Sequence, residues 1–267
     1  MTEPSTATDR TRLAGSAYSS DRDLAARQSI YQWQTPRHDL PAIVAEQLRA
    51  VRGLVVDVGC GNGRYVRRLR EDRPDLASVG LDIAPGILAT VPGPVAVADV
   101  TRLPLATGSA DAALAMHMLY HVPDIPQAVR ELARVVARDG VVIASTNSER
   151  DKAELDDLWH RAAGDVLGTG PQPVRFSIGA RFSLEKAPGF LGEEFGRVRT
   201  IELPSTITVR EPEPVVAYLA SWRAWADQYD APFDATIERA RAIVTDRIAR
   251  EGMFEIGCRA GILVCRR

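Results

Sequence analysis

The chain has 267 residues, of which 45% are hydrophobic and 25% charged, with a formal net charge of −2. This length can bury a full sheet core, and the near-neutral charge offers no single-sign field for a nucleic acid or a membrane surface. The three cysteines include no C-x-x-C pair, so we expect no disulfide framework, no metal site and a reducing cytoplasm as the setting. No apolar run reaches the ~20 residues that a membrane span needs.

The first 51 residues fall into two parts. Residues 1–12 are polar and low in large apolar side chains, and we expect them to be disordered. Residues 13–51 have a mildly helical pattern and are predicted to form an N-terminal helical arm. Within this arm, Asp39 followed by Pro41 marks the start of a helix.

Residues 52–147 alternate between short apolar runs and helical stretches, which is typical of βαβ units and a parallel sheet. The strands of this predicted cofactor-binding core are 54–58, 78–82, 95–98, 111–115 and 141–146. Residues 148–267 are expected to form a helical cap that also supplies the last two strands, 197–209 and 254–265. The predicted fold class is α/β, with a seven-stranded, mostly parallel Rossmann-like sheet and helices on both faces. The cap would cover the sheet edge where such folds bind ligands.

The first strand of the core leads into the glycine-rich turn VVDVGCGNGRY, which includes Gly59 and Gly61. Glycines there let a ligand approach the backbone at a helix N-terminus, an architecture that dinucleotide-binding enzymes share. A dinucleotide fingerprint would need glycine at position 64, where Arg64 stands. Asp57 would repel a pyrophosphate but suits the cationic amino-acid end of S-adenosylmethionine. The turn therefore favours S-adenosylmethionine as the cofactor.

Acidic residues end the next two strands. Asp82 is placed to accept hydrogen bonds from both ribose hydroxyls, and Ile83 beside it can pack on the adenine face. Asp99 can accept from the adenine amino group, while Val100 offers a backbone donor to the ring. The alternative is that both aspartates only cap the helices that follow.

The stretch MHMLYH, after the fourth strand, lies at the carboxyl edge where the sulfonium is expected. His121 is the candidate base or acceptor-orienting group because imidazole titrates near neutrality, and the alternative is a packing role. Met116 and His117 are expected to line the methionine end of the cofactor. HMLY stands where amino-methylating DNA enzymes carry N-P-P-Y or D-P-P-Y, so the acceptor is expected to be a small molecule, not a nucleic acid.

Further aromatic and basic residues are candidates for the walls of the site. Tyr18, Arg27 and Tyr31 in the arm could fold over the cofactor as a lid, with packing on a helix surface as the alternative. A stripe on one face of a helix is predicted to line an acceptor pocket or, for most of its members, to pack in the core. Its members are Tyr218, Trp222, Trp225 and Tyr229. His38 and His160 are expected to be surface or loop residues.

Four segments together resemble the class I S-adenosylmethionine-dependent methyltransferases. They are DVGCGNGRY, GLDIAPGIL, ADVTRLPLATGSADAALAMHMLYHVPD and RELARVVARDGVVIAST. The resemblance is strongest to the ubiquinone and menaquinone C-methyltransferases and to actinobacterial natural-product enzymes. It departs from that branch at Ala110, where phenylalanine is usual. The resemblance implies cofactor contacts at Gly59, Gly61, Asp82, Ile83, Asp99 and Val100.

These patterns predict an enzyme that transfers a methyl group from S-adenosylmethionine to a small organic molecule by in-line displacement, leaving S-adenosylhomocysteine. The expected setting is secondary metabolism such as antibiotic biosynthesis, and the expected state is a monomer or homodimer. Oxygen, nitrogen and carbon all stay open as the methylated atom. Two other functions compete: a catalytically silent S-adenosylmethionine-binding regulator and a nicotinamide-dependent oxidoreductase, against which Asp57 and Arg64 argue.

Overall fold

The computed structural model describes residues 8–17, 22–170 and 179–267, and within them eight strands form one sheet. The strands are β1 (Gln34–Thr35), β2 (Gly53–Val58), β3 (Leu76–Asp82), β4 (Val95–Val97), β5 (Ala110–Met116), β6 (Val136–Asn147), β7 (Arg197–Val209) and β8 (Phe254–Arg266). Their order in the sheet is β1-β7-β8-β6-β5-β2-β3-β4. The five strands from β6 to β4 are mutually parallel, so their carboxyl ends meet at one edge. β8 runs antiparallel to both β6 and β7.

The predicted number of seven strands is wrong, because β1 adds an eighth at the edge of the sheet. It pairs antiparallel with β7, placing Gln34 opposite Ile207 and Thr35 opposite Thr206. The Gln34 Nε2 donates to Ser205 Oγ at 2.6 Å, which helps to hold this short pairing. Two residues cannot show the alternation by which a strand is detected in sequence, so the pattern contains no signal for β1.

Ten helices lie among the described residues. They are α1 (Arg10–Arg12), α2 (Arg22–Ser29), α3 (Leu40–Gln47), α4 (Arg64–Asp72), α5 (Pro85–Leu88), α6 (Ile125–Val135), α7 (Ala153–Leu167), α8 (Ala187–Gly192), α9 (Glu213–Ala220) and α10 (Phe233–Glu251). α6 shows why the sequence folds this way: Asp124 Oδ1 accepts from Gln127 N at 2.9 Å, and Val129 and Leu132 are buried on one face. No described helix has both the length and the apolar character needed to cross a membrane.

Alternating residues of the parallel strands bury the two faces of the sheet. Val56 packs in a cluster with α6 and α8, while its neighbour Val55 packs in a second cluster with α3 and α4. A third apolar cluster joins α7, α9 and α10 to the C-terminal end of β7 and the N-terminal end of β8. This third cluster holds α9 beside α2, next to the edge where the parallel strands end.

Two segments differ from the sequence predictions. The helix predicted for residues 213–229 ends at Ala220, and a separate 3₁₀ segment, Arg223–Gln228, follows with a kink at Trp225. Arg10–Arg12, in the segment expected to be disordered, form a helical turn because Asp9 accepts from the backbone N–H groups of Thr11 and Arg12.

Candidate functional site

A cavity of about 340 Å³ lies at the carboxyl edge of the parallel strands. The strand ends form its floor, and α9 with the N-terminal cover (residues 8–17 and 22–33) forms its other walls. The predicted site residues that line it are Tyr31, Gly59, Gly61, Asp82, Ile83, Asp99, Val100, Met116, His117 and His121. The fold therefore brings residues separated by 90 positions of sequence into one chamber. Tyr18 lies outside the described residues.

The glycine turn requires glycine because of its backbone and its neighbours. Gly59 and Gly61 have φ values of +69° and +54°, which side chains other than glycine rarely adopt. A Cβ at position 59 would lie 2.8 Å from the Cβ of Met118, and one at position 61 would lie 3.2 Å from the Cδ2 of Leu24. The turn thus packs closely against both the end of β5 and the N-terminal cover.

Asp82 connects the glycine turn to the loop after β3. Its Oδ2 accepts from Gly61 N at 2.8 Å, and its Oδ1 accepts from Ala84 N at 2.9 Å. Burial raises the pKa of this carboxyl, and the hydrogen bonds from Ala84 and Gly61 oppose that rise. Asp82 does not cap α5, whose N-cap residue Ala84 has no side-chain cap; it braces the loop before that helix, and Asp82 also lines the cavity.

Asp99 is held from two sides. Its Oδ1 accepts from Thr101 N at 2.9 Å and from Thr101 Oγ1 at 2.8 Å, and its Oδ2 lies 2.5 Å from Arg10 Nη2. Arg10 belongs to α1, so this ion pair fastens the N-terminal cover to the strand edge. Val100 beside it is buried and lines the cavity.

Asp57 is a buried carboxylate behind the glycine turn and is not among the residues that line the cavity. It is 1% exposed, and neither of its oxygens has a hydrogen-bond partner among the described residues. Burial, together with the negative charge of Asp82, raises its pKa to about 7. A buried carboxylate with no donor among the described residues suits a cationic ligand group, so Asp57 fits the amino-acid end of S-adenosylmethionine.

β5 ends in two residues that line the cavity, Met116 and His117. His117 has a φ of +53°, an unusual value for a residue other than glycine, and its N–H donates to Ser145 Oγ at 3.0 Å. Burial and then the positive charge of Lys152 lower its pKa to about 4. The imidazole of His117 is therefore neutral at physiological pH.

His121 lies in the 3₁₀ segment that follows β5 and lines the cavity. Its ring is nearly parallel to that of Trp225, with centroids 6.4 Å apart, and lies edge-on to Tyr120 at 4.7 Å. Trp225 is fully buried. The geometry therefore accommodates both a packing role for His121 and contact with a ligand.

The predicted aromatic stripe does not lie on one helix face, because α9 ends before its second member. Tyr218 and Trp222 line the cavity, whereas Tyr229 packs on Trp159 with ring centroids 4.5 Å apart. Arg27 is buried, donates to Ser221 O at 2.8 Å and lies over the Trp222 ring at 5.0 Å.

The sequence analysis missed a buried ion pair beside the cavity. Lys152 is 2% exposed, and its Nζ lies 2.5 Å from Asp151 Oδ2. Its φ of +58° and its N–H bond to Gly257 O fix the backbone there. The sequence contains only one other lysine, Lys186, but a single lysine belongs to no motif.

His38, expected on the surface or in a loop, is in a loop and lines the cavity.

Comparison with known proteins identifies the family. Residues 56–144 match the model of a family described as a methyltransferase domain. The ubiquinone biosynthesis O-methyltransferase of Alkalilimnicola ehrlichii is 30% identical over 169 residues, which cover 58% of this chain and 68% of that protein. The malonyl-[acyl-carrier protein] O-methyltransferase of Serratia marcescens is 30% identical over 116 residues, which cover 42% of this chain. The chain spans only 45% of the length of that second relative.

A solved structure shares the fold. It is a putative methyltransferase from an antibiotic biosynthesis pathway of Anabaena variabilis, with a TM-score of 0.60 and 17% identity, covering 85% of this chain and 97% of that one. With the family match and the relative covered over two thirds of its length, the chain belongs to the class I S-adenosylmethionine-dependent methyltransferases. S-adenosylmethionine is accordingly its cofactor.

Proposed function

We propose that the chain transfers a methyl group from S-adenosylmethionine to a small organic acceptor held beside His121. One observation carries the proposal: a single cavity joins the glycine turn, Asp82 and Asp99 to the aromatic residues Tyr218 and Trp222. A chamber lined by both carboxylates and aromatic rings suits a nucleoside cofactor next to an organic acceptor.

The residues at the glycine-turn end would hold the cofactor. Asp82 would accept from the ribose hydroxyls, Asp99 with Val100 would meet the adenine edge, and Asp57 would balance the positive charge of the amino group. When bound, S-adenosylmethionine supplies a methyl carbon that bonds to a lone pair of the acceptor while the carbon–sulfur electron pair remains on sulfur. The protein contributes by holding the two reactants close, aligned and away from water.

His121 would orient the acceptor or accept its proton. A half-buried imidazole that lines the cavity is within the part of the site where the acceptor would lie. Burial and the charge of Lys152 lower the pKa of His117 to about 4, so His117 would serve as a neutral wall beside Met116.

The larger parts of the chain would divide this work. Residues 52–147 would form the cofactor-binding core, 148–267 a cap that carries the acceptor wall, and 13–51 an arm that covers the cavity.

The two curated relatives are named as O-methyltransferases, which favours oxygen as the methylated atom. We place the reaction in secondary metabolism on the sequence resemblance alone, and in the cytoplasm because all three cysteines are buried free thiols. A monomer or homodimer remains the expected state.

Calorimetry with S-adenosylhomocysteine and with NAD tests the proposal. We expect the first to bind and the second not to bind, and loss of most of the S-adenosylhomocysteine affinity in Asp82→Ala. Because Asp82 also accepts two backbone hydrogen bonds, Asp82→Asn serves as the milder variant and a melting curve checks the fold of both. Binding of NAD alone would overturn the proposal.

A panel of phenols, carboxylic acids and amines then tests transfer, with release of S-adenosylhomocysteine as the readout. Turnover of one class supports the enzyme. Cofactor binding without turnover of any member favours the alternative of a catalytically silent binding protein.

A further inference from the structure

A second polar cluster lies beside the cavity, apart from the carboxylates proposed to hold the cofactor. Tyr31 of the N-terminal cover, Asp151 and Tyr218 of α9 all line the cavity, and Lys152 lies buried behind them. The Lys152 Nζ is 5.0 Å from the centroid of the Tyr31 ring and 2.5 Å from Asp151 Oδ2. Three separate parts of the chain therefore meet around one ammonium group.

The ammonium group of Lys152 is held in its charged form. Burial alone would lower its pKa, but Asp151, followed by Tyr31, Tyr218 and Cys258, raises it well above its usual value. Asp151 is itself fixed, because its Oδ1 accepts from Arg259 N at 2.7 Å. A buried lysine in a left-handed backbone conformation costs stability, and such costs concentrate at functional sites.

The hydroxyl of Tyr31 stays protonated next to this charge. Burial raises the pKa of Tyr31 to about 12, and the charge of Lys152 and a hydrogen bond with it oppose that rise. An ammonium group has no lone pair, so in this hydrogen bond Lys152 donates and the phenol oxygen accepts. Because Tyr31 lines the cavity, we assign the proton of its hydroxyl to a hydrogen bond with a ligand there.

The positive charge also reaches the cofactor side of the cavity. Lys152 is, after burial, the largest cause of the lowered pKa of His117, and Arg64 acts in the same direction, while Asp151 opposes them. Groups that disfavour a positive charge on His117 also disfavour a cationic acceptor beside it. Burial disfavours either charge, but at His117 the effect of Lys152 exceeds that of Asp151, so the charged groups around it favour an anion over a cation.

We propose that Tyr31 and Lys152 bind the acceptor through an ionised oxygen, such as a phenolate, an enolate or a carboxylate. Tyr31 donates a hydrogen bond to that oxygen. Lys152, whose charge is partly offset by Asp151, positions and polarises the Tyr31 hydroxyl. A phenol or enol acceptor loses its proton to His121 or to solvent when it binds, whereas a carboxylate arrives ionised, so in each case the anionic oxygen is formed before transfer. This inference rests on the proposed function and defines its substrate class. The sequence analysis predicted that Tyr31 covers the cofactor, whereas here Tyr31 binds the acceptor.

The test uses 4-nitrophenol, whose ionised form is coloured, with protein saturated with S-adenosylhomocysteine. A pH titration of the bound probe measures its ionisation directly, without turnover. We expect its acid dissociation constant to increase at least about tenfold on binding to the wild type. 4-Nitrobenzoate and benzylamine, added as competitors, separate carboxylate and amine acceptors from phenols, and benzylamine is expected to compete least.

Two variants and a matched control assign the effect. Tyr31→Phe and Lys152→Met are expected to abolish the shift while S-adenosylhomocysteine affinity stays within about twofold. Tyr31→Phe removes a single oxygen and is the variant that decides if Lys152→Met fails to fold. Tyr229→Phe, which changes a tyrosine outside the cavity lining, is expected to retain the full shift.

Three outcomes would overturn the inference. In the first, 4-nitrophenol fails to bind, or its acid dissociation constant does not increase when it binds. In the second, benzylamine competes with it better than 4-nitrobenzoate does. In the third, the variants lose affinity for S-adenosylhomocysteine but retain the shift in the acid dissociation constant of 4-nitrophenol. The last would mean that the cluster holds the cofactor carboxylate. Failure of the wild type to bind S-adenosylhomocysteine is a separate result, which overturns the proposed function itself.

Discussion

Asp57 has an electrostatic cost in the free protein that a cationic ligand would relieve. Its pKa rises from 3.8 to about 7 because folding buries it near the negative charge of Asp82, and none of the described residues donates a hydrogen bond to it. When folding raises the pKa of a group, its contribution to stability is fully present at pH values below the pKa of the unfolded state. That contribution is lost as the pH rises through the pKa of the folded state. Asp57 therefore destabilises the free protein progressively between about pH 4 and pH 7.

Replacing Asp57 by asparagine should show this cost. Since each pKa unit corresponds to about 1.4 kcal/mol, we expect Asp57→Asn to be more stable than the wild type at pH 8 by at most roughly 4 kcal/mol. The difference should shrink towards pH 4, and affinity for S-adenosylhomocysteine should fall at pH 8. Urea denaturation at several pH values, with calorimetry, measures both. A variant less stable than the wild type at pH 8 contradicts this account.

His121 has two candidate roles, in methyl transfer and in packing, and a turnover measurement separates them. If it accepts or orients the acceptor proton, His121→Ala should slow transfer to the best acceptor of the panel by about 10²- to 10⁴-fold and leave S-adenosylhomocysteine affinity nearly unchanged. His160→Ala is the control, because His160 lies on α7 and does not line the cavity. Equal turnover in the two variants would leave packing against Trp225 as the role of His121.

At the scale of elements, the N-terminal cover is fastened by ion pairs. Arg10 meets Asp99, and Arg12 meets both oxygens of Asp227, at 2.5 and 2.7 Å. Arg12 also donates to Ala224 O at 2.8 Å. Exposed pairs of this kind stabilise a fold by about 0–1 kcal/mol each, so they can hold a cover without locking it.

The double variant Arg10→Ala with Arg12→Ala should therefore release the cofactor product faster. We expect the dissociation rate of S-adenosylhomocysteine to rise severalfold while the melting temperature changes little. Stopped-flow displacement measures the rate. Arg49→Ala, which removes an exposed pair with Glu46 outside the cavity lining, is the control and should not alter the rate. An unchanged rate in the double variant would exclude these pairs from control of release.

The aromatic stripe shows where element-scale reasoning fails. The spacing from Tyr218 to Tyr229 is helical, yet the backbone leaves the helix after Ala220. Trp225 then packs against Leu13 and Ala17 of the N-terminal cover instead of continuing the α9 face. A contact made by residues 200 positions apart decides this, and no local pattern contains it.

At the scale of the whole molecule, separate apolar clusters lie beneath the proposed cofactor-binding and acceptor-binding parts of the cavity. Leu132 is fully buried under the parallel sheet, and Leu219 is fully buried between α9 and its neighbours. Truncating either to alanine should lower the free energy of unfolding by about 2–5 kcal/mol. Because Leu219 adjoins Tyr218, only Leu219→Ala should weaken 4-nitrophenol binding, as measured by titration under conditions where both variants remain folded. Equal weakening by Leu132→Ala would contradict this separation.

The parallel core was predictable from the amino-acid sequence, because strands buried on both faces leave continuous apolar runs and glycine turns leave a local pattern. The family was predictable too, and so was the placement of Asp82, Asp99 and the residues at the end of β5 along one edge of the sheet, since each follows a strand that the pattern indicates. The two-residue strand β1, the break after α9 and the meeting of Tyr31 with Lys152 became visible only in the folded chain. Those features depend on contacts between distant segments, and a single lysine or a two-residue pairing has no periodicity from which it could be predicted.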